Sequence, residues 1–379
     1  MSTPVIIEPV ENKRGLTEFV KFPFTLYKND PNWVPPLIEE RLDVFNPKKN
    51  PLFEHSRGQT FLARRDGKLV GTISALVNDR HNEVHNELMG SFGFFETIDD
   101  AEVATALLRA AEGWVKAQGM TIIRGPLNLS MNDEVGTLID GFDEPPMVMM
   151  TYNPRYYPKL IESNGYGKAM DLFAWIFDNI EEGLAKAPEK LERVANKVMQ
   201  KQNLRIRKVE MKHFDREVAL VKQVYNAAWQ KNWGFVPMTD HEMDHLAAGL
   251  KPLIDPNMVF LAETADGKPV GVALSLPDLH QALKRSGGGH YFPFGLLKFM
   301  WHRRHINQSR LLIMGMVEEY RGWGTDSVFY LETAREGLKR GYKRMEGSWI
   351  LETNTMMNQI IERLGGTRYK TYRVYEKPL

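Results

Sequence analysis

Leu311-Leu-Ile-Met-Gly-Met-Val-Glu-Glu-Tyr-Arg-Gly-Trp-Gly-Thr-Asp326 is the stretch on which the reading of the fold turns. It opens as an apolar run of strand length, passes through Arg321-Gly-Trp-Gly324, and continues into a helical pattern that stops at Gly341. Gly322 and Gly324 allow a tight turn and the close approach of a ligand. The helix behind them offers N–H groups without intrahelical partners and the positive end of its dipole. Arg321 adds a permanent positive charge. A pyrophosphate suits these features, although the spacing fits neither the nucleotide P-loop nor the six-residue dinucleotide fingerprint. A plain strand-to-helix turn that needs glycine accounts for the same two residues.

Working outward, the chain contains itself twice. Phe61-Leu-Ala-Arg-Arg-Asp-Gly-Lys-Leu-Val-Gly71 returns as Phe260-Leu-Ala-Glu-Thr-Ala-Asp-Gly-Lys-Pro-Val-Gly271, with eight of eleven positions identical after one insertion. Each reads as two strands joined at Asp-Gly. Asn32-Trp33 has its counterpart in Asn232-Trp233, Gly93 and Glu96 in Gly315 and Glu318, and Ile161-Glu162 in Ile361-Glu362. Residues 204–379 give strands near 204–210, 258–264, 270–276, 311–317, 344–349 and 369–376, with helices near 214–231, 239–251, 325–340 and 354–364. The expected architecture is α/β with a mixed sheet: one domain over 1–180, a charged connecting helix over 181–203, and a second domain over 204–379.

With this context the chain resembles the GNAT superfamily of acyl-CoA N-acyltransferases. Glu319-Tyr-Arg-Gly-Trp-Gly324 is similar to that family's coenzyme A pyrophosphate loop, and Asn354, Met357, Ile361 and Gly365 sit at the spacing of its second signature. The resemblance implies two tandem GNAT-like domains and, for the second, acetyl-CoA or another acyl-CoA as co-substrate. On that basis Arg321, Gly322, Trp323, Gly324 and Thr325 are expected to hold the coenzyme, with Asn354 on its pantetheine arm or capping a helix. Val317 is the expected backbone donor to the thioester carbonyl. Two departures stand out: Asp326 puts a carboxylate beside the phosphate site, and Ile361 replaces the tyrosine that protonates the leaving thiolate in many members. The first copy reads Glu96-Thr-Ile-Asp-Asp-Ala-Glu102, acidic and without glycine, so no coenzyme A is expected there.

Acyl transfer to nitrogen needs a neutral amine, a polarised carbonyl and a protonated leaving group. Glu318 is the expected base with Glu352 second, and Tyr320 a candidate acid; Glu318 and Glu319 also read as solvated loop carboxylates. Each copy carries an insertion that the other lacks. Residues 130–150 hold Asp133, Glu134, Asp140, Asp143 and Glu144 and no base, a charge of −5, whereas residues 277–310 carry +5. Both are expected to border an acceptor cleft, with Asp133, Glu134 and Trp233 receiving a cationic amine, or else to be surface excursions. Within the second insertion, 292–304 is aromatic and basic, as in a bilayer-surface segment, an acyl channel or a lid.

A net charge of +1 from 49 basic and 48 acidic residues argues against a nucleic-acid partner, and the absence of cysteine removes disulfides, thiolate metal sites and cysteine nucleophiles. With 43% hydrophobic and 26% charged residues the composition is that of a globular protein, and neither a secretory leader nor a membrane-spanning run is read. A cytoplasmic N-acyltransferase acting on a small-molecule or peptide amine in a ternary complex is the leading expectation. An acyl-CoA sensor without turnover and an aminoacyl-tRNA-dependent transferase are the alternatives. His241-Glu-Met-Asp-His245 matches a zinc-protease pattern but occupies a helix's first turn, and no metal is expected.

Overall fold

Both Asp-Gly segments are hairpins in the computed structural model, which describes residues 3–185, 192–193, 197, 199–200, 203–290, 294–321 and 326–379. The strands are β1 (Ile6–Pro9), β2 (Ser56–Arg65), β3 (Lys68–Asn78), β4 (Met89–Thr97), β5 (Ile122–Gly125), β6 (Leu127–Asn128), β7 (Glu134–Val135), β8 (Thr137–Asp140), β9 (Gly167–Phe177), β10 (Leu204–Lys208), β11 (Val259–Thr264), β12 (Pro269–Pro277), β13 (Gln308–Met316), β14 (Arg344–Leu351) and β15 (Thr367–Pro378). In the first half β1, β2, β3 and β4 pair antiparallel in succession and β5 joins β4 in parallel. The second half repeats this order with β10, β11, β12 and β13 antiparallel and β14 parallel to β13. A parallel step needs a crossover, and a helix supplies it in each half, Ala101–Ala117 and Asp326–Lys339. The mixed α/β fold expected from the duplication is the fold observed.

The chain divides into two compact units whose boundaries fall inside strands. Unit 1 comprises Met1–Leu172, Leu283–His302 and Lys370–Leu379; unit 2 comprises Phe173–Ala282 and Arg303–Tyr369. The last strand of the sequence, expected to close the second half, completes the first: Tyr375–Pro378 pair antiparallel with Gly125–Ile122, and Tyr375 is fully buried in the core of unit 1. Conversely β9, whose residues Phe173–Phe177 belong to unit 2, neighbours β14 in the strand order. Two near-copies present equivalent sheet edges, so local patterning cannot say which final strand fills which edge. Of the expected connecting helix, Ile180–Ala185 is helical, and residues 186–191, 194–196, 198 and 201–202 lie outside the described residues.

Helix Ala101–Ala117 shows how unit 1 is held. Val103, Ala104, Leu107, Leu108, Ala111 and Val115 form one stripe at helical spacing, all fully buried against Ile73, Phe92 and Ile123. Each Leu or Val so buried stabilises the fold by roughly 1.5–3 kcal/mol. Unit 2 uses Phe260, Ala262, Val270, Ala273, Met316 and Phe329 in the same way.

The insertions gain definite places. Residues 283–302, from the second copy, belong to unit 1, where the Gly289 carbonyl accepts the Ile38 N–H at 2.9 Å and His290 meets Glu39 at 2.6 Å. The acidic insertion contributes β7 and β8, and β8 pairs with Thr371–Arg373. Arg310, counted with the basic insertion, is instead buried in β13, where it donates to Ser348 Oγ at 2.8 Å and lies 3.6 Å from the buried Glu346.

Candidate functional site

In unit 2, β13 ends at Met316 and the Val317 N–H donates to the Val270 carbonyl at 2.9 Å. The donor expected to be open toward a thioester is thus spent in the sheet. Glu318 to Tyr320 form a 3₁₀ turn, and Tyr320 packs against the unit 2 core. Glu318 is exposed and ion-paired to Lys231 at 2.7 Å, and that hydrogen bond and charge hold its carboxyl below the usual range. A solvated carboxylate of lowered pKa is a weak base, which fits the solvated loop carboxylate of the second reading better than the base of the first. The Arg321 guanidinium turns inward, its Nε donating to the Met316 carbonyl at 2.9 Å and its Nη2 to that of Ala228. Gly322, Trp323, Gly324 and Thr325 lie outside the described residues.

Asp326 opens the crossover helix, and its burial raises the carboxyl against the opposing charge of Arg321. Asn354 caps helix Thr355–Arg363, its Oδ1 accepting the Met357 N–H at 3.3 Å, while Glu352 stands half-buried in the turn before it. Ile361 is buried and holds no proton to give. Trp233 is half-buried in the loop after helix Phe214–Trp229. At His241–His245, Thr239 and Glu242 close a capping box, which occupies the glutamate that a zinc protease would aim at water.

The denser polar cluster lies in unit 1. Along β4 the register slips, Thr72 facing Glu96 and Ser74 facing Gly93, so β4 carries an extra residue, and Phe94 sits at φ 44°. The Phe94 N–H donates to Asn128 Oδ1 at 2.7 Å. Gly93 is obligatory beside it, since a Cβ there would lie 1.9 Å from the Leu127 carbonyl oxygen. Past this bulge Glu96 Oε2 accepts two phenols, from Tyr27 and Tyr157, each at 2.7 Å. Tyr157 in turn accepts the Thr97 N–H at 2.8 Å, and Tyr27 stacks on Trp33 at 5.2 Å.

Burial is the largest influence on Glu96 and pushes its carboxyl up to about 7; the two phenols and Arg41 pull it down, and Glu134 pushes with burial. Burial and the Glu96 charge keep both phenols protonated, hence donors. Glu134 accepts from Arg41 at 2.6 Å, and the pair retains about a quarter of its side-chain exposure, 27% and 21%. The Asp133 carboxylate accepts the Ser130 hydroxyl at 2.6 Å. Glu134 was the one member named from sequence. In the sequence Glu96 stands only as the counterpart of Glu318 in a copy without the glycine loop, and Tyr27, Arg41 and Tyr157 lie in separate stretches that carry no local signal of a site.

Among the described residues no group of three or more His, Asp or Glu side chains stands close enough to hold a metal ion. No protein-family model matches the chain. It is 39% identical over 378 residues to a bacterial ceramide synthase of Caulobacter vibrioides, covering 98% of this chain and 97% of that one. It is 38% identical over 375 residues to protein YghO of Escherichia coli, with 97% and 94% covered. A tandem GNAT protein from the clavulanic acid biosynthesis pathway superposes with a TM-score of 0.58 at 10% identity, over 99% of this chain and 98% of that one, a likeness of fold.

Proposed function

The chain belongs to the GNAT superfamily of acyltransferases, in one family with the ceramide synthase of Caulobacter vibrioides and protein YghO, and from that premise we propose that it transfers an acyl group from acyl-CoA to the amine of a long-chain amino alcohol, forming an amide. The near-full-length identity to a ceramide synthase carries this reading, since a ceramide is the amide of a fatty acid and such an amine. The donor would meet the chain between β13 and the helix Asp326–Lys339, where Arg321 braces the backbone; Gly322, Trp323, Gly324 and Thr325 remain proposed coenzyme contacts on their sequence motif alone. Asp133, Glu134 and Trp233 remain proposed acceptor contacts, and Glu352 a proposed second carboxylate.

A lipid acceptor accords with helix Gly295–Arg303. Phe294, Leu297 and Trp301 are 65%, 68% and 61% exposed, and Leu296 and Met300 join them. Lys298, Arg303 and Arg304 lie among them with no acid between residues 279 and 317. Apolar anchors with adjacent cations suit the surface of an anionic bilayer, where the amine would be collected. No helix of the described residues is long and apolar enough to cross the membrane, so contact would be peripheral, on the cytoplasmic side. Acyl-CoA sensing without turnover is the second reading, favoured by Ile361.

Release of free thiol from palmitoyl-CoA should require a long-chain primary amine, an amino alcohol or decylamine, and fail with water-soluble polyamines. Binding of palmitoyl-CoA without thiol release would favour the sensor. Pelleting with phosphatidylglycerol vesicles but not phosphatidylcholine vesicles, lost in Leu297→Asp/Trp301→Asp, tests the helix; equal pelleting of both proteins would discard it.

A further inference from the structure

The two copies place a glutamate at the same point, and the environments differ: Glu318 is exposed beside Lys231, whereas Glu96 lies at the end of a bulged strand against two phenols. Both phenols bind Oε2, leaving Oε1 outside these bonds. Around it stand Arg41 and Glu134, and the ring of Tyr27 continues to Trp33 and Tyr152, whose hydroxyl reaches Asp30 at 2.9 Å. Glu134, Glu40 and Glu96 all act on the Arg41 guanidinium, while Asp30, farther out, faces Lys284, so carboxylates outnumber cations at Arg41 beside the aromatic rings. Primary ammonium is the ligand such a setting receives, through carboxylate contact and cation–π attraction.

We propose that this cluster of unit 1 binds the amine substrate, and that Glu96 both anchors the incoming alkylammonium and takes its proton. In the step, R–NH3⁺ gives one proton to the Glu96 carboxylate, leaving R–NH2 and a carboxylic acid. The nitrogen lone pair then attacks the thioester carbonyl carbon; C–N forms, C–S breaks, and the nitrogen's second proton passes to the departing thiolate, which leaves as free thiol. Glu96 returns its proton to water. The carboxyl, raised to about 7 by burial, is ionised often enough near neutral pH to bind a cation and basic enough to deprotonate it. Tyr27 and Tyr157 are positioning residues that fix the carboxylate plane, and Glu134 keeps the site negative despite Arg41.

This inference rests on the transferase reading, and the experiment separates the two. An alkylammonium has a pKa of about 10.4, so at pH 7.5 about one molecule in a thousand is neutral. With palmitoyl-CoA and decylamine, wild-type kcat/KM should rise to a plateau above about pH 7. Glu96→Gln should fall at least 100-fold at pH 7.5 and then recover about tenfold per pH unit toward pH 10, because only free amine can react. Two milder variants keep the test alive if Glu96→Gln does not fold: Tyr27→Phe removes a bond that favours the carboxylate and should move the acid limb up, whereas Glu134→Gln removes a like charge and should move it down. Calorimetric titration with decylamine alone should show binding at pH 8 that weakens at least tenfold at pH 5.5, with no such change in Glu96→Gln. Limbs unmoved by both substitutions, or decylamine binding indifferent to pH and to Glu96, overturns the acceptor site. Pelleting and amine binding as expected, with no thiol released by wild type, overturns the transferase reading and leaves the amine site standing.

Discussion

A carboxylate that ends the strand before the crossover helix stands at Glu96 in one copy and Glu318 in the other, and its neighbours set what it can do. At Glu318 a lysine and open water keep the group ionised. At Glu96 burial dominates, and the folded state holds a proton that the unfolded chain releases near pH 4.5. Stability therefore declines as pH rises from about 4.5 to about 7, by up to about 3 kcal/mol. Glu96→Gln escapes this cost, so urea unfolding at pH 4.5 and pH 8 should show the stability gap moving toward the variant by up to that amount; a constant gap would contradict the raised carboxyl. The comparison must be a difference, because His81, lowered to about 4 chiefly by burial, adds a slope of opposite sign between about pH 4 and 6.5 in both proteins. Only Glu134 of this cluster was named for the site from the sequence, since the rest are contributed by four separate segments and only their convergence makes them unusual.

At the scale of elements, the two crossover helices differ at their first turns. Asp100 caps helix Ala101–Ala117, its Oδ1 accepting the Glu102 and Val103 N–H groups at 2.9 and 3.1 Å, and Arg65 clamps the same carboxylate at 2.6 Å. The helix end that would attract a phosphate is thereby closed from within, the physical content of the missing glycines in the first copy. Asp100→Ala should cost about 1–2 kcal/mol by denaturant unfolding, and since Arg65 and the two N–H groups hold the carboxyl below its usual value, that contribution should fade as pH falls below about 4. A cost that persists unchanged at pH 3 would point to packing instead. The helices and strands themselves were readable: expected strands at 258–264 and 270–276 are observed at Val259–Thr264 and Pro269–Pro277, and the helix expected at 325–340 is Asp326–Lys339. Their periodicity is local, set by which face of each element meets core.

For the molecule as a whole, the duplication makes each half look self-sufficient, yet unit 1 takes Lys370–Leu379 from the far end of the chain and Leu283–His302 from the middle. Residues 1–180 expressed alone would keep β4 beside β5 but lack its other neighbour and the buried Tyr375. They should fail to unfold cooperatively, whereas the full chain should protect the β5 amides, Ile122 to Gly125, against hydrogen exchange. Removing residues 371–379 from the full chain should expose those same amides; protection that survives the deletion would mean that the first half closes its own sheet.

The sequence by itself determined the duplication, the α/β class, the hairpins and the crossover helices, because each is written in spacing along a contiguous stretch, and its loop motif carried the resemblance to the family. The tertiary structure alone decided three further things: which final strand fills which edge, that the second copy's insertion serves unit 1, and that Glu96 rather than Glu318 is the enclosed carboxylate. Edge choice pairs Tyr375 with Gly125, 250 positions apart, and the enclosure of Glu96 joins residues 61 to 93 positions apart, so two similar copies carry the same local pattern into different surroundings.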